Sequence, residues 1–493
     1  MNWKSACLLL ALGTQAGAQQ PLPASVLDAA AKRIEKAAPE KATVAPERAR
    51  KLLVYNYCKG FYHGSIPYGA KAMEILGKKT GAFQTVVTDK MDLFEPGSLQ
   101  QFDAVCLNNT TGEIFLPKDI DKLPQAEQDA ARKREALLKQ SLLDFVRNGK
   151  GIVGVHAATD CYYNWSEYGE MIGGYFNHHP WHEKVGIKVD DPGHPLCAAF
   201  DPKGFTIVDE IYQFKDPYSR DALRVLLSLD VNRTDMTKES IRREDKDFAV
   251  SWTRRYGLGR VFYCSLGHRN EIFWNPAVLQ YYLDGIQFAL GDLPAPITPS
   301  NKLDEWEECF NGKDFSGWIC KKGAWTVKNG ALARGKGGYV WTKKQYENFV
   351  FECEFRISKK GNSGIFFRTA ALFDPVQTGI EMQVLDSHGK PHPSKHDCGA
   401  IYDCLAPSKN AVRPAGEWNL VRILCKDNEI GVTLNGENVL QMDLNQWTQP
   451  GKNPDGTDNK FKKAYQDMPR KGHIGFQDHG DDVWYRNIRI KPL

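Results

Sequence analysis

The sequence predicts two domains of different class: an α/β domain with a doubly wound, mostly parallel sheet, followed by an all-β sandwich. Three observations lead there. Short apolar runs alternate with helical patterns from residue 51 to about 292. A proline-rich segment, DLPAPITPSN, then interrupts the chain. Beyond it the apolar period changes to two, the period of a strand.

The 493 residues are enough for two large domains. With 42% hydrophobic and 25% charged residues the balance is that of a globular protein, and a mean hydropathy of −0.47 excludes a polytopic membrane protein. The net charge is +4, and no block of five or six like charges appears. That excludes the electrostatic footprint of a nucleic-acid binder.

Residues 1–18 read as a signal peptide. Lys4 supplies the charged start, residues 6–12 the apolar run, and Ala16-Gly17-Ala18 the small residues for cleavage before Gln19. The run is too short to span a bilayer, and Cys7 lies too early to be a lipidated cleavage-site cysteine. The expectation is a periplasmic or secreted protein with no membrane span. Residues 19–50 form a leader. In the first domain, 51–292, residues 51–58, 83–88, 102–108 and 151–156 read as strands, and 68–79 and 126–148 as helices. Asn275-Pro276 caps a last helix. Residues 293–302 are a linker. In the second domain, 303–493, Phe349, Phe351, Cys353, Phe355 and Ile357 share one strand face, and Asn435-Gly436 makes a hairpin turn. The cysteines are odd in number once Cys7 is removed. No CxxC pair suggests a zinc ribbon, and Cys398 and Cys404 are close enough in sequence to pair across a turn.

Ligands of open α/β sheets collect beyond the carboxyl ends of the strands. His156 ends the GIVGVH strand there, followed by His178, His179 and His182 within five residues and by His268 in SLGH. Imidazoles so placed make a metal or acid–base site, or else are satisfied by backbone hydrogen bonds in a loop. In the second domain Glu381 and Gln383, two apart, project from one face of a strand, and Gln477, Asp478 and His479 cluster near the C-terminus. Such a polar face is a solvent face or a ligand trough.

Two resemblances sharpen these alternatives. GVHAATD, GGYFNHHPWHEKV, Asp209-Glu-Ile-Tyr212 and GLGRVFYCSLGH resemble the ThuA-like (trehalose utilisation) family over about residues 50–292. This implies a flavodoxin-like fold related to class I glutamine amidotransferases, a role in sugar metabolism, and a candidate divalent-metal site at His156, His179, Glu210 and His268. Where a glutaminase carries its cysteine nucleophile stands His156, and Cys161 lies beyond the turn, so a Cys-His hydrolase is disfavoured. NSGIFFR, GIEMQVLD, CGAIYD, GEWN and GHIGFQDHGDDVWYRNIRIKPL resemble the 3-keto-disaccharide hydrolase family over about 303–493. This implies a concanavalin-like jelly-roll sandwich that cleaves 3-keto-glycosides. Glu381 or His479 is then the candidate base, and Arg368 or a cation held by Glu381 and His479 the enolate stabiliser. Asn362, Gln383, Asp386 and Gln477 hold sugar hydroxyls. Gly257-Leu-Gly259 is no dinucleotide fingerprint, so no NAD is expected and a separate oxidoreductase must supply the keto-sugar. Two other readings stand beside this one. In the first, the sandwich is a carbohydrate-binding module, with Trp318, Trp325 and Trp341 as its aromatic row, anchoring a ThuA-like sugar-processing domain. In the second, only the α/β domain is catalytic, as a metal-dependent isomerase or hydrolase.

Overall fold

A computed structural model describes residues 23–302 and 305–493; the expected signal peptide lies outside them. Helix α1 (Ala24–Ala37) precedes the first sheet. The strands of that sheet are β1 (Lys51–Tyr55), β2 (Gln84–Thr88), β3 (Ala104–Asn108), β4 (Gly151–Val155), β5 (Tyr175–Val189), β6 (Phe205–Lys215), β7 (Arg224–Leu229), β8 (Ala249–Tyr256) and β9 (Gly259–Cys264). The principal helices between and after them are α2 (Ile66–Thr80), α3 (Gln125–Arg147) and α4 (Pro276–Leu290). The strand order is β2-β1-β3-β4-β9-β8-β7-β5-β6. From β2 to β9 neighbours run parallel; from β9 to β6 they run antiparallel. The expectation of a mostly parallel sheet is thus corrected to a mixed one. Local chemistry fixes the ends: Asn275 Oδ1 accepts from the Ala277 and Val278 amides at the start of α4, and Pro276 fills its first turn.

The second half is a two-sheet antiparallel sandwich. Its strands are β10 (Glu307–Glu308), β11 (Trp318–Cys320), β12 (Trp325–Lys328), β13 (Ala331–Arg334), β14 (Val340–Thr342), β15 (Phe349–Ile357), β16 (Asn362–Thr369), β17 (Ile380–Leu385), β18 (Asn419–Lys426), β19 (Glu429–Leu434), β20 (Glu437–Asp443), β21 (His473–Phe476) and β22 (Val483–Pro492). One sheet has the order β12-β13-β22-β15-β18-β19-β20, with β10 on β22; the other runs β11-β14-β21-β16-β17. The apolar alternation of β15 faces inward, where Phe349, Phe351, Cys353, Phe355 and Ile357 join one core. All described cysteines are free, Cys398 and Cys404 included, so the suggested pairing does not form.

The opposite face of β15 is not a solvent face. Glu352 and Glu354 are buried there. Glu354 accepts from Arg255 Nη2 (2.9 Å) and Arg260 Nη2 (2.7 Å) of the first domain, and from Arg486 Nε and Asn487 Nδ2 (both 2.9 Å) of its own. Glu352 pairs with Arg489 at 2.7 Å and Arg422 at 2.8 Å. The proline-rich segment is packed rather than free: Leu293, Ala295 and Ile297 are buried, and Arg489 Nη1 donates to Thr298 Oγ1 at 2.6 Å.

Burial alone would raise the Glu354 carboxyl, but the three guanidiniums hold it well below the usual carboxylate range. Its stabilising contribution is therefore present above the ordinary glutamate pKa and is lost as pH falls below it. Glu354→Gln leaves three guanidiniums, one buried and two largely so, without their anion and is expected to cost about 3–5 kcal/mol, with a flatter acid limb, in denaturant titrations across pH. Equal stability of variant and wild type at neutral pH contradicts this.

Candidate functional site

Two clusters of ionisable side chains lie on polar faces, one in each domain. In the first domain, His63 follows β1, His156 follows β4 and His268 follows β9, so all three sit beyond the carboxyl ends of parallel strands. His156 occupies the sharp turn after β4 with φ +45°, a strained conformation for an imidazole-bearing residue. Tyr263 Oη donates to its carbonyl at 2.6 Å and holds the turn. Glu210 comes from the antiparallel extension, on β6. One potential ligand atom from each of His63, His156, Glu210 and His268 lies within 4.8 Å of the others.

Glu210 faces both ways. Its Oε2 is 3.4 Å from His156 Nε2 and 3.0 Å from His268 Nδ1; its Oε1 is 3.3 Å from His179 Nδ1 and 3.8 Å from His182 Nδ1. The neighbouring His156 and His268 imidazoles outweigh burial and hold the carboxyl well below its usual range. The Asp209 carboxylate accepts from the Gly267 and Arg269 amides at 2.7 and 2.8 Å and so fixes the loop carrying His268. Three of the four residues expected to ligate a metal meet here. His179, with its side chain 47% exposed, stands on the solvent side of Glu210. His63 takes the remaining place, buried, its pKa lowered to about 2 chiefly by burial. The sequence reading missed His63, which lies not at the strand end but in the loop between β1 and α2. The histidines at 178, 179 and 182 lie on strand β5 rather than in a loop. Cys161 is fully buried against Thr110, with its thiol pushed up by burial, and is no nucleophile.

In the sandwich, the five-stranded sheet turns Ile365, Phe367, Ile380, Met382, Val384, Ile474 and Phe476 into the core. Its other face carries Gly364, Phe366, Glu381, Gln383, Gly475 and Trp341, alternate to these. Glu381 is 5% exposed, and burial pushes its carboxyl up to about 7, against a partial lowering by Lys460 and Gln477. Tyr339 and Tyr402 also feel its charge. Gln477 Oε1 is buried without a hydrogen-bond partner. Asn362 Oδ1 accepts from Gln383 Nε2 at 2.8 Å, and Asp386 Oδ2 caps the Lys360 amide at 2.7 Å.

One expected role is corrected. Arg368 is fully buried, but it donates to the Glu347 and Asp427 carbonyls (both 2.8 Å) and to Asn348 Oδ1 (3.1 Å). Those bonds clasp the β18–β19 turn and take its guanidinium out of the site. The cause is a register shift in β16 between Phe366 and Thr369, with Arg368 at φ +51°, which breaks the alternation that would have aligned it with Phe366. His479 lies in the exposed turn between β21 and β22 and makes no side-chain hydrogen bond among the described residues. Lys460, Tyr339 and Tyr402, whose charges couple to that of Glu381, carried no sequence signal.

Comparison with known proteins agrees with this division. The family model for trehalose utilisation (ThuA) matches residues 51–289, and that described as "3-keto-alpha-glucoside-1,2-lyase-like domain" matches 305–491. A 3-keto-disaccharide hydrolase from Bacteroides thetaiotaomicron is 30% identical over 231 residues, covering 38% of this chain and 79% of that one. Among solved structures, a presumed glycosyl hydrolase from Parabacteroides distasonis is 36% identical, covering 38% of this chain and 99% of that one (TM-score 0.36). A ThuA-like protein from Bacteroides uniformis is 23% identical, covering 51% and 94% (TM-score 0.39). The chain carries a ThuA domain followed by a sandwich through which it belongs to the 3-keto-disaccharide hydrolase family.

Proposed function

We propose that this chain is an exported enzyme that cleaves 3-keto-glycosides in its C-terminal sandwich, with Glu381 as the base. The observation that carries the reading is the buried Glu381 carboxyl, raised to about 7 on a face that also carries Gln383 and Gln477. A base works best with a pKa near the operating pH. The C3 ketone acidifies the C2 proton. Glu381 takes that proton, the C2–H electron pair moves into the C2–C3 bond, and the carbonyl π electrons pass to the C3 oxygen as an enolate. The enolate then returns its electrons, the C1–O bond breaks, and the aglycone leaves as an alkoxide that is protonated. Water added across the resulting C1=C2 bond completes hydrolysis. The Lys460 charge, the Tyr339 and Tyr402 hydroxyls, Gln383 and the unpartnered Gln477 Oε1 supply cation, donors and acceptors for the enolate and the sugar hydroxyls.

The fold supports this reading through the order of the parallel strands, β2-β1-β3-β4-β9, which is that of a flavodoxin-like core, and through the two-sheet form of a jelly-roll. The oxidation that creates the ketone falls to a separate oxidoreductase. Against a carbohydrate-binding module stands the burial of Trp318, Trp325 and Trp341, which leaves no exposed aromatic row from these three.

Turnover of a 3-keto-glucoside in deuterated water is expected to leave deuterium at C2 of the released sugar; cleavage without deuterium there rules out elimination. Because the ionised carboxylate is the base, kcat/KM is expected to rise tenfold per pH unit up to about 7 and then level. Glu381→Gln is expected to lower kcat by about 10²–10⁴. Raised above its unfolded value, the Glu381 pKa costs stability as pH climbs from the ordinary glutamate range through about 7. The same variant should flatten that slope. A Cβ on Gly364 would sit 2.3 Å from Glu381 Oε1 and displace it, so Gly364→Ala is expected to fold yet lose most activity. Full activity in both variants overturns the assignment.

A further inference from the structure

We infer that the first domain holds one divalent transition-metal ion between His63, His156, Glu210 and His268, with the side facing His179 and His182 left for an oxygen-donor ligand. The hydrogen bonding around the cluster is deficient in positive charge. His156 Nδ1 lies 2.6 Å from the Ser265 carbonyl, which can only accept, so Nδ1 carries the ring proton. The lone pair of Nε2 then faces a carboxylate oxygen at 3.4 Å and a second imidazole nitrogen at 3.3 Å. His63 adds a buried Nδ1 with no partner. The His156 Nε2 lone pair and the Glu210 carboxylate thus face each other as two acceptors, beside an unpartnered His63 nitrogen, and a cation between them satisfies all three.

The distances favour a single ion. Neighbouring donors stand 3.0, 3.3 and 3.4 Å apart, the separations that two ligands adopt on an ion with bonds of roughly 2.0–2.2 Å. Three imidazoles and one carboxylate select a first-row transition ion over calcium or magnesium, which take oxygen ligands. The surroundings are those of metal-ligating histidines: the Ser265 carbonyl sets the His156 tautomer, and Asp209 anchors the loop of His268. His179 and His182, half exposed on the outer oxygen of Glu210, mark the approach. The ligand class rests on the function proposed above: a ketone beside a hydroxyl, as in a 3-keto-sugar, offers two oxygens to one ion.

The test uses the full-length protein, stripped with chelator and reloaded with Zn²⁺, Mn²⁺ or Co²⁺. Elemental analysis is expected to find about one ion per chain, with a rise in Tm on reloading. Both should be lost in His156→Ala and in His63→Gln, and kept in His388→Ala. Wild-type protein that retains no ion, or a His63→Gln/His156→Ala double variant that retains one, overturns the site. A folded variant is recognised by its far-ultraviolet circular dichroism. The ligand is read separately, in the Co²⁺-loaded Glu381→Gln protein. A 3-keto-glucose should shift the visible Co²⁺ bands and glucose should not. Bands unmoved by the keto-sugar overturn the ligand class while leaving the metal site standing. Loss of activity in Glu381→Gln with the metal still bound keeps the two domains' readings apart.

Discussion

A buried carboxylate, Glu354, ties the two halves of the chain into one arrangement. It draws guanidiniums from β8 and β9 of the first domain and from β22 of the sandwich onto one anion. Charges taken out of water are tolerated only when closely paired, so the interface has little freedom to slide: a shift of a few ångströms would strand both signs. The consequence for function is exclusion. A sandwich has two outer faces, and the Glu352 and Glu354 face is spent on holding the domains together. The outer face of the five-stranded sheet is left for a ligand, and it is there that Glu381 is found.

Much of the scaffold was legible because burial leaves a plain mark on sequence. The parallel strands read as apolar runs, α4 is announced by its Asn-Pro cap, and the inward face of β15 shows strict alternation. The antiparallel extension was harder to see. In β5 the alternation is broken by Pro180 and by three histidines over two register shifts, so a 15-residue strand resembles a loop. The sites were legible where a residue follows a strand end, as His156 and His268 do, or holds its alternation, as Glu381 and Gln383 do. Arg368 failed because one irregularity in β16 reverses a side chain, and no local pattern announces it. The Lys460 charge acts on Glu381 from a polar loop some eighty residues away, a proximity that only the closed fold creates.

The two glutamates at the centres of the sites show how environment divides one chemistry into two roles. Glu381 is buried with an exposed lysine as its nearest cation, and desolvation dominates: its proton is held until about neutral pH and then released. Glu210 is also buried, yet the His156 and His268 imidazoles beside one of its oxygens keep it charged. A carboxyl poised near neutrality can take and return a proton; one pinned as an anion can hold a cation but is a poor base. The proposed elimination therefore suits the carboxyl of the sandwich, and the inferred cation suits that of the ThuA domain. The interface through Glu354 joins the domains by the sandwich face that Glu381 does not occupy, so each glutamate keeps its own surroundings.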